Sequence, residues 1–193
     1  MIQFIKVPRT FGNVKENTKF IDVLIYSILD SYRCDGTSRI AYQTISDKYN
    51  IAYSQVEKSL KRLKDNGFID FKQIKSTNND YVFNEYSFPK LDGEFLMLDP
   101  KVLNLNYNPK ERGMLIYLQL NCAIGLNEIP VTTVNDLANL IGVTRQTASK
   151  YINMFIKDGE ITKSEFGYFV CKYLVKKDNI IKEKKNTNLE ITL

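Results

Sequence analysis

Histidine is missing from all 193 residues. That absence removes imidazole acid–base chemistry, Ser-His-Asp and Cys-His nucleophile systems, and histidine-bound metals. Cysteine is scarce. Cys34, Cys122 and Cys171 lie far apart and form no CxxC pair, so neither a zinc site nor a secreted disulfide framework is expected. They read as small buried hydrophobes in a reducing compartment. No GxxxxGK[ST] phosphate loop and no GxGxxG turn occurs. No run of about 18 apolar residues occurs either, so no membrane span is expected. The opening MIQFIKVPRTFGN lacks the basic-then-apolar layout of a secretory leader. No Asp or Glu pair stands out from the background of surface charge as a carboxylate active site. The expectation is a cytoplasmic chain that is not an enzyme, with no cofactor, no metal and no membrane.

What is present suffices for a folded protein. Apolar residues make up 44% and charged residues 25%, ordinary globular usage that can bury a core. The net charge of +5 permits nucleic-acid binding without demanding it. It is also spread out: residues 1–94 hold 14 basic and 12 acidic side chains, and residues 95–193 hold 13 and 10. A polyanion site must therefore come from local clustering.

The chain repeats itself. Leu24-Ile25-Tyr26 recurs 91 positions on as Leu115-Ile116-Tyr117. Ile45–Asp70 aligns with Leu137–Thr162 at a spacing of 92. The apolar positions match as Ile45/Leu137, Ile51/Val143, Val56/Ala148, Leu60/Ile152, Leu63/Phe155 and Ile69/Ile161, and Gly67 matches Gly159. Phe4 and Pro8 precede the first copy as Phe95 and Pro100 precede the second. Register kept through two helices, a turn and a glycine stop points to two copies of one fold, at 1–90 and 91–177. They join near PKLDGE (89–94), and a basic tail follows at 178–193.

Within the first copy, helical spacing of Phe20, Ile21, Leu24, Ile25, Ile28 and Leu29 predicts a helix from Thr18 to Tyr32. Residues 34–38 read as a loop. A short helix from Ala41 to Tyr49 ends at Asn50, and Ser54 with Glu57 suggests a capping box for a third helix ending before Gly67. Two β-rich runs flank the turn 76–80. In the second copy, Asn108-Pro109 opens the first helix, Thr133 to Ile141 is the short one, and Thr144 caps the third, Arg145 to Asp158. EITKSE and YFVCKYLV flank Phe166-Gly167 as a hairpin. The fold class is mainly α with small β-hairpins (α+β).

This order resembles the winged helix-turn-helix superfamily in both copies, most closely along LANLIGVTRQTASKYINMFIKDGEI. The resemblance implies two tandem winged-helix domains, with recognition helices at 54–66 and 145–158 in major grooves of double-stranded DNA and wings on its backbone. In the second copy Ala148, Ile152 and Phe155 form the helix seat. Thr144, Arg145, Gln146, Thr147, Ser149 and Lys150 are then the DNA-facing candidates, since Arg suits guanine, Gln suits adenine and helix starts reach bases first. In the first copy the candidates are Tyr53, Ser54, Gln55, Lys58 and Arg62. Lys72, Lys75 and Lys163 suit phosphate contact from the wings. Paired winged helices are found in bacterial transcription regulators and in plasmid and phage replication initiators; FIKVP also resembles the opening of some of the latter. Transcription regulation is the first expectation, origin binding the second, and a winged-helix module for protein contacts the third. A homodimer and contacts with transcription or replication machinery stay open.

Overall fold

The structure, a computed structural model, describes residues 4–13, 20–75, 82–89, 94–124 and 126–175. The first half runs β1 (Ile5–Pro8), a 3-10 turn (Arg9–Asn13), α1 (Phe20–Ser31), β2 (Arg33–Cys34), β3 (Thr37–Ile40), α2 (Tyr42–Tyr49), α3 (Tyr53–Asp65), β4 (Asp70–Lys75) and β5 (Val82–Ser87). The second runs β6 (Phe95–Leu98), a 3-10 turn (Pro100–Asn104), α4 (Pro109–Leu120), β7 (Glu128–Ile129), α5 (Val134–Ile141), α6 (Arg145–Lys157), β8 (Ile161–Lys163) and β9 (Phe169–Cys171). The chain is thus mixed α and β, with small antiparallel sheets. The sheets of the halves agree: β3 pairs with β5 and β5 with β4, as β7 pairs with β9 and β9 with β8. Among the described residues no helix is long and apolar enough to cross a membrane.

Local chemistry sets the helix ends. Asn108 accepts from the Glu111 N–H and Glu111 accepts from the Asn108 N–H, both at 3.0 Å, with Pro109 as the first helical residue of α4. Asn50 (φ 52°) ends α2 in the left-handed region, and Gly142 (φ 69°) ends α5 at the equivalent place. Two sequence expectations are corrected. Ser54 caps nothing: α3 starts one residue earlier, and Ala52 stands at its N-cap with no side-chain bond. A serine already inside the first turn cannot serve as the cap. Residues 34–38 are no loop either, since β2 and β3 form a tight hairpin around Asp35 and Gly36.

The core runs through both halves without a break. Every matched apolar pair is buried at both positions except Ile51/Val143, where Val143 is half-buried. Burial of each such aliphatic side chain contributes roughly 1.5–3 kcal/mol. The repeated tyrosines, Tyr26 and Tyr117, are core residues, and the Phe20 ring meets Tyr117 edge-on at 5.2 Å. Here α1 and α4 cross closely. A Cβ at Gly113 would lie 2.1 Å from the Phe20 carbonyl oxygen, so only glycine permits this approach. Cys122 and Cys171 are buried as expected, but Cys34 is exposed because it belongs to the surface hairpin.

The pairing of β1 with β6 was not foreseen. Their registers are Ile5↔Leu98, Lys6↔Met97, Val7↔Leu96 and Pro8↔Phe95. Two arginines reinforce the join. Arg9 donates to the carbonyls of Leu120 (3.2 Å) and Cys122 (2.7 Å) at the end of α4. Buried Arg112 donates to the carbonyl of Leu103 (2.7 Å) and, from the other half, to that of Tyr49 at the end of α2. Both satisfy helix-end carbonyls that would otherwise lack donors.

Candidate nucleic-acid interface

The α5–turn–α6 segment positions the best-formed polar face. Thr133 caps α5 by accepting from the Asp136 N–H at 3.1 Å. The Val143 N–H returns to the Ala138 carbonyl at 3.0 Å across the left-handed Gly142. Thr144 then caps α6, accepting from the Thr147 N–H at 3.2 Å, and the two hydroxyls share a bond of 2.9 Å. With its start fixed in this way, α6 seats Ala148, Tyr151, Ile152 and Phe155 in the core. The opposite face carries Arg145, Gln146, Ser149, Lys150 and Asn153, which line one shallow groove of about 470 Å³. Thr144, Arg145, Gln146 and Lys150 are exposed, and Thr147 and Ser149 are half-buried. Asn153 was missed by the sequence reading. It donates to Ser149 Oγ at 3.3 Å, and its position four residues after Ser149 was the available signal.

Charge bookkeeping separates Arg145 from every other arginine of the chain. Arg9 pairs with Glu94, Arg33 with Asp30, Arg39 with Glu85 and Arg62 with Asp22, while Arg112 is bonded to carbonyls. Arg145 has no ion-pair or hydrogen-bond partner among the described residues and stands exposed at the first turn of α6. An unpaired guanidinium at a helix start keeps all its donors for an incoming acceptor.

The first half offers a different surface. Tyr53, Ser54, Gln55 and Lys58 lie exposed along α3, with the Tyr53 ring tilted against Tyr42 at 5.9 Å. Glu57 is exposed among them and places a negative charge where the second half has Ser149. Arg62 does not belong to this face. Its Nε and Nη2 donate to the Asp22 carboxylate at 2.8 and 2.6 Å, and Ser59 Oγ donates to the same carboxylate at 2.6 Å. The bond to Asp22 raises the guanidinium pKa further above its ordinary value. Arg62 is therefore a structural tie between α3 and α1, with two of its donors engaged away from the outer face.

The strands supply scattered cations. Lys72 lies 3.0 Å from Glu85, which also meets Arg39 at 2.6 Å. Lys163 is exposed, its ammonium 5.2 Å from the centre of the Phe169 ring. The backbone of Lys75 closes β4 opposite Val82, but its side chain, the turn 76–80 and the basic tail 178–193 lie outside the described residues. The turn after β8 is closed by its own bonds, from the Ser164 N–H to the Tyr168 carbonyl and from the Gly167 N–H to the Ser164 carbonyl, both 2.9 Å. It carries Phe166 outward into solvent.

The two turns sit on one cleft. A cavity of about 1130 Å³ is lined by Asn50, Ile51 and Gln55 from the first half and by Ile141, Gly142 and Val143 from the second. Comparison of the chain with family models, curated proteins and solved structures finds no match in any of the three.

Proposed function

We propose that the chain is a sequence-specific double-stranded DNA-binding protein of two winged-helix units, with α6 as the principal reading helix, and that its cellular use is regulation of transcription. The observation that carries this reading is Arg145. Five of the six arginines are held by protein acceptors, and the sixth has no partner among the described residues and stands at the start of a helix whose outer face also offers Gln146, Lys150 and Asn153. Guanine presents two acceptors in the major groove to such a fork, and adenine presents an acceptor and a donor to an amide. The N-terminal turn of a recognition helix is where side chains reach base edges. Thr144 and Thr147 at the same turn suit a flanking phosphate. In this reading α3 makes fewer base contacts, because Glu57 repels phosphate and Arg62 is committed to Asp22.

The test is selection from a random duplex library by the full chain at two salt concentrations. A recovered motif, with affinity falling steeply as salt rises, supports the reading. Recovery of no motif, with no salt dependence, overturns it and turns attention to protein partners.

A further inference from the structure

The β1–β6 ladder holds information about how the two halves are arranged. The repeat places Phe4 with Phe95, and at the same spacing of 91 it places Ile5 with Leu96, Lys6 with Met97 and Val7 with Leu98. The ladder pairs Ile5 with Leu98, Lys6 with Met97 and Val7 with Leu96. So Ile5 faces the counterpart of Val7, Val7 faces the counterpart of Ile5, and Lys6 faces its own counterpart. Antiparallel pairing of two equivalent strands places a local two-fold axis at the ladder, here passing between Lys6 and Met97. Copies related by simple translation would lay equivalent strands in the same direction, and these run antiparallel.

Two further features of the join agree with that axis. Equivalent helices α1 and α4 meet at Phe20 and Gly113. Equivalent turn residues, Asn50 with Gly142 and Ile51 with Val143, line the same cleft. The two arginine ties are not mates under the axis: Arg9 reaches the end of α4 and Arg112 the end of α2, and at the same spacing their counterparts are Pro100 and Ile21.

We infer that one molecule of this chain reads one duplex as a covalently joined two-fold pair, so that its target is two half-sites of unlike sequence in inverted orientation. This rests on the DNA-binding reading above. Orientation follows from the axis, which presents α3 and α6 to DNA in opposite senses. Unlikeness follows from the side chains: at equivalent exposed or partly exposed positions α3 carries Tyr53, Gln55 and Glu57 where α6 carries Arg145, Thr147 and Ser149.

The experiment gives both helices the same surface. The variant Tyr53→Arg, Ser54→Gln, Gln55→Thr, Glu57→Ser, Lys61→Asn changes only exposed positions of α3. Unmodified protein is expected to select a bipartite site with two different halves, bound one chain per duplex. The variant is expected to select a palindrome built from the α6 half-site and to prefer it over the original site by about ten-fold or more. A direct repeat, a single half-site, or two chains per site overturns the inference while leaving DNA binding intact. No selected site for the unmodified chain overturns both. If the variant does not fold by circular dichroism, phosphate protection on the unmodified complex decides. Protections related by a two-fold through the site centre support the inference, and protections repeating by translation overturn it.

Discussion

Arg62 grips Asp22 with two hydrogen bonds, and Asp22 is almost wholly buried in the first turn of α1. The pair converts what reads as a surface arginine on a recognition helix into the bolt between α3 and α1. Removing one partner of a buried ion pair leaves the other uncompensated and costs roughly 3–5 kcal/mol; with Arg62 partly exposed, the low end applies. Asp22→Ala is therefore expected to lower stability by about 3 kcal/mol in urea unfolding. Arg62→Met is expected to lower stability while leaving the selected DNA motif unchanged. A changed motif with unchanged stability would return Arg62 to the DNA face.

Arg145 and Lys150 lie on one face of α6 and are expected to behave differently. Arg145→Ala should cost about 1–3 kcal/mol on the preferred site and relax selection at one base pair. Lys150→Ala should weaken all sequences alike and reduce the salt slope by about 1. Titrations on matched and mismatched duplexes at several salt concentrations separate the two. Equal weakening of every duplex by Arg145→Ala would make it a phosphate contact.

The closeness of Phe20 to Gly113 predicts an overpacking defect. In Gly113→Ala the new methyl meets the Phe20 carbonyl, and α1 and α4 must separate. The expected loss is about 1–3 kcal/mol, even though alanine favours a helix over glycine. Thermal unfolding checks the sign, and a gain in stability would contradict the close crossing.

Asp30 supplies a pH dependence. Burial holds its carboxyl above the usual aspartate range, opposed by the Lys6 N–H at 2.7 Å and by Arg33. The folded state thus binds this proton more tightly than the unfolded chain. The associated stability is full at acid pH below the ordinary aspartate value and is lost as pH rises through the folded one. Asp30→Asn, which keeps an acceptor for Lys6, removes that loss. Its stability relative to the parent is expected to increase from acid toward neutral pH in melts across that range. Parallel profiles would refute the assignment.

Much of this architecture was legible because it follows local rules. Asn50, Thr144 and the Asn108-Pro109 start act within one helical turn, and the apolar spacing of Ala148, Ile152 and Phe155 names the seat of α6 directly. The outer face of α6 followed by subtraction, apart from Asn153. What escaped depends on distant partners. Ser54 looked like a cap because serine commonly is one, and only the observed start of α3 displaces it. Asp22 was the visible clue to Arg62, an acid inside the apolar run FIDVLI, but its partner lies 40 positions away. The β1–β6 ladder needs residues 91 apart to meet, and neither short strand announces the other.

That ladder also sets the order in which the chain can fold as it is made. β1 leaves the ribosome with Ile5 and Val7 uncovered, and its only ladder partner among the described strands ends at Leu98. At about 5–20 residues per second, translation supplies that partner some 5–18 s later. Until then the first half carries an open strand edge and an exposed flank of α1. Nascent chains stalled before β6 are thus the form of this protein most exposed to aggregation and to chaperone capture.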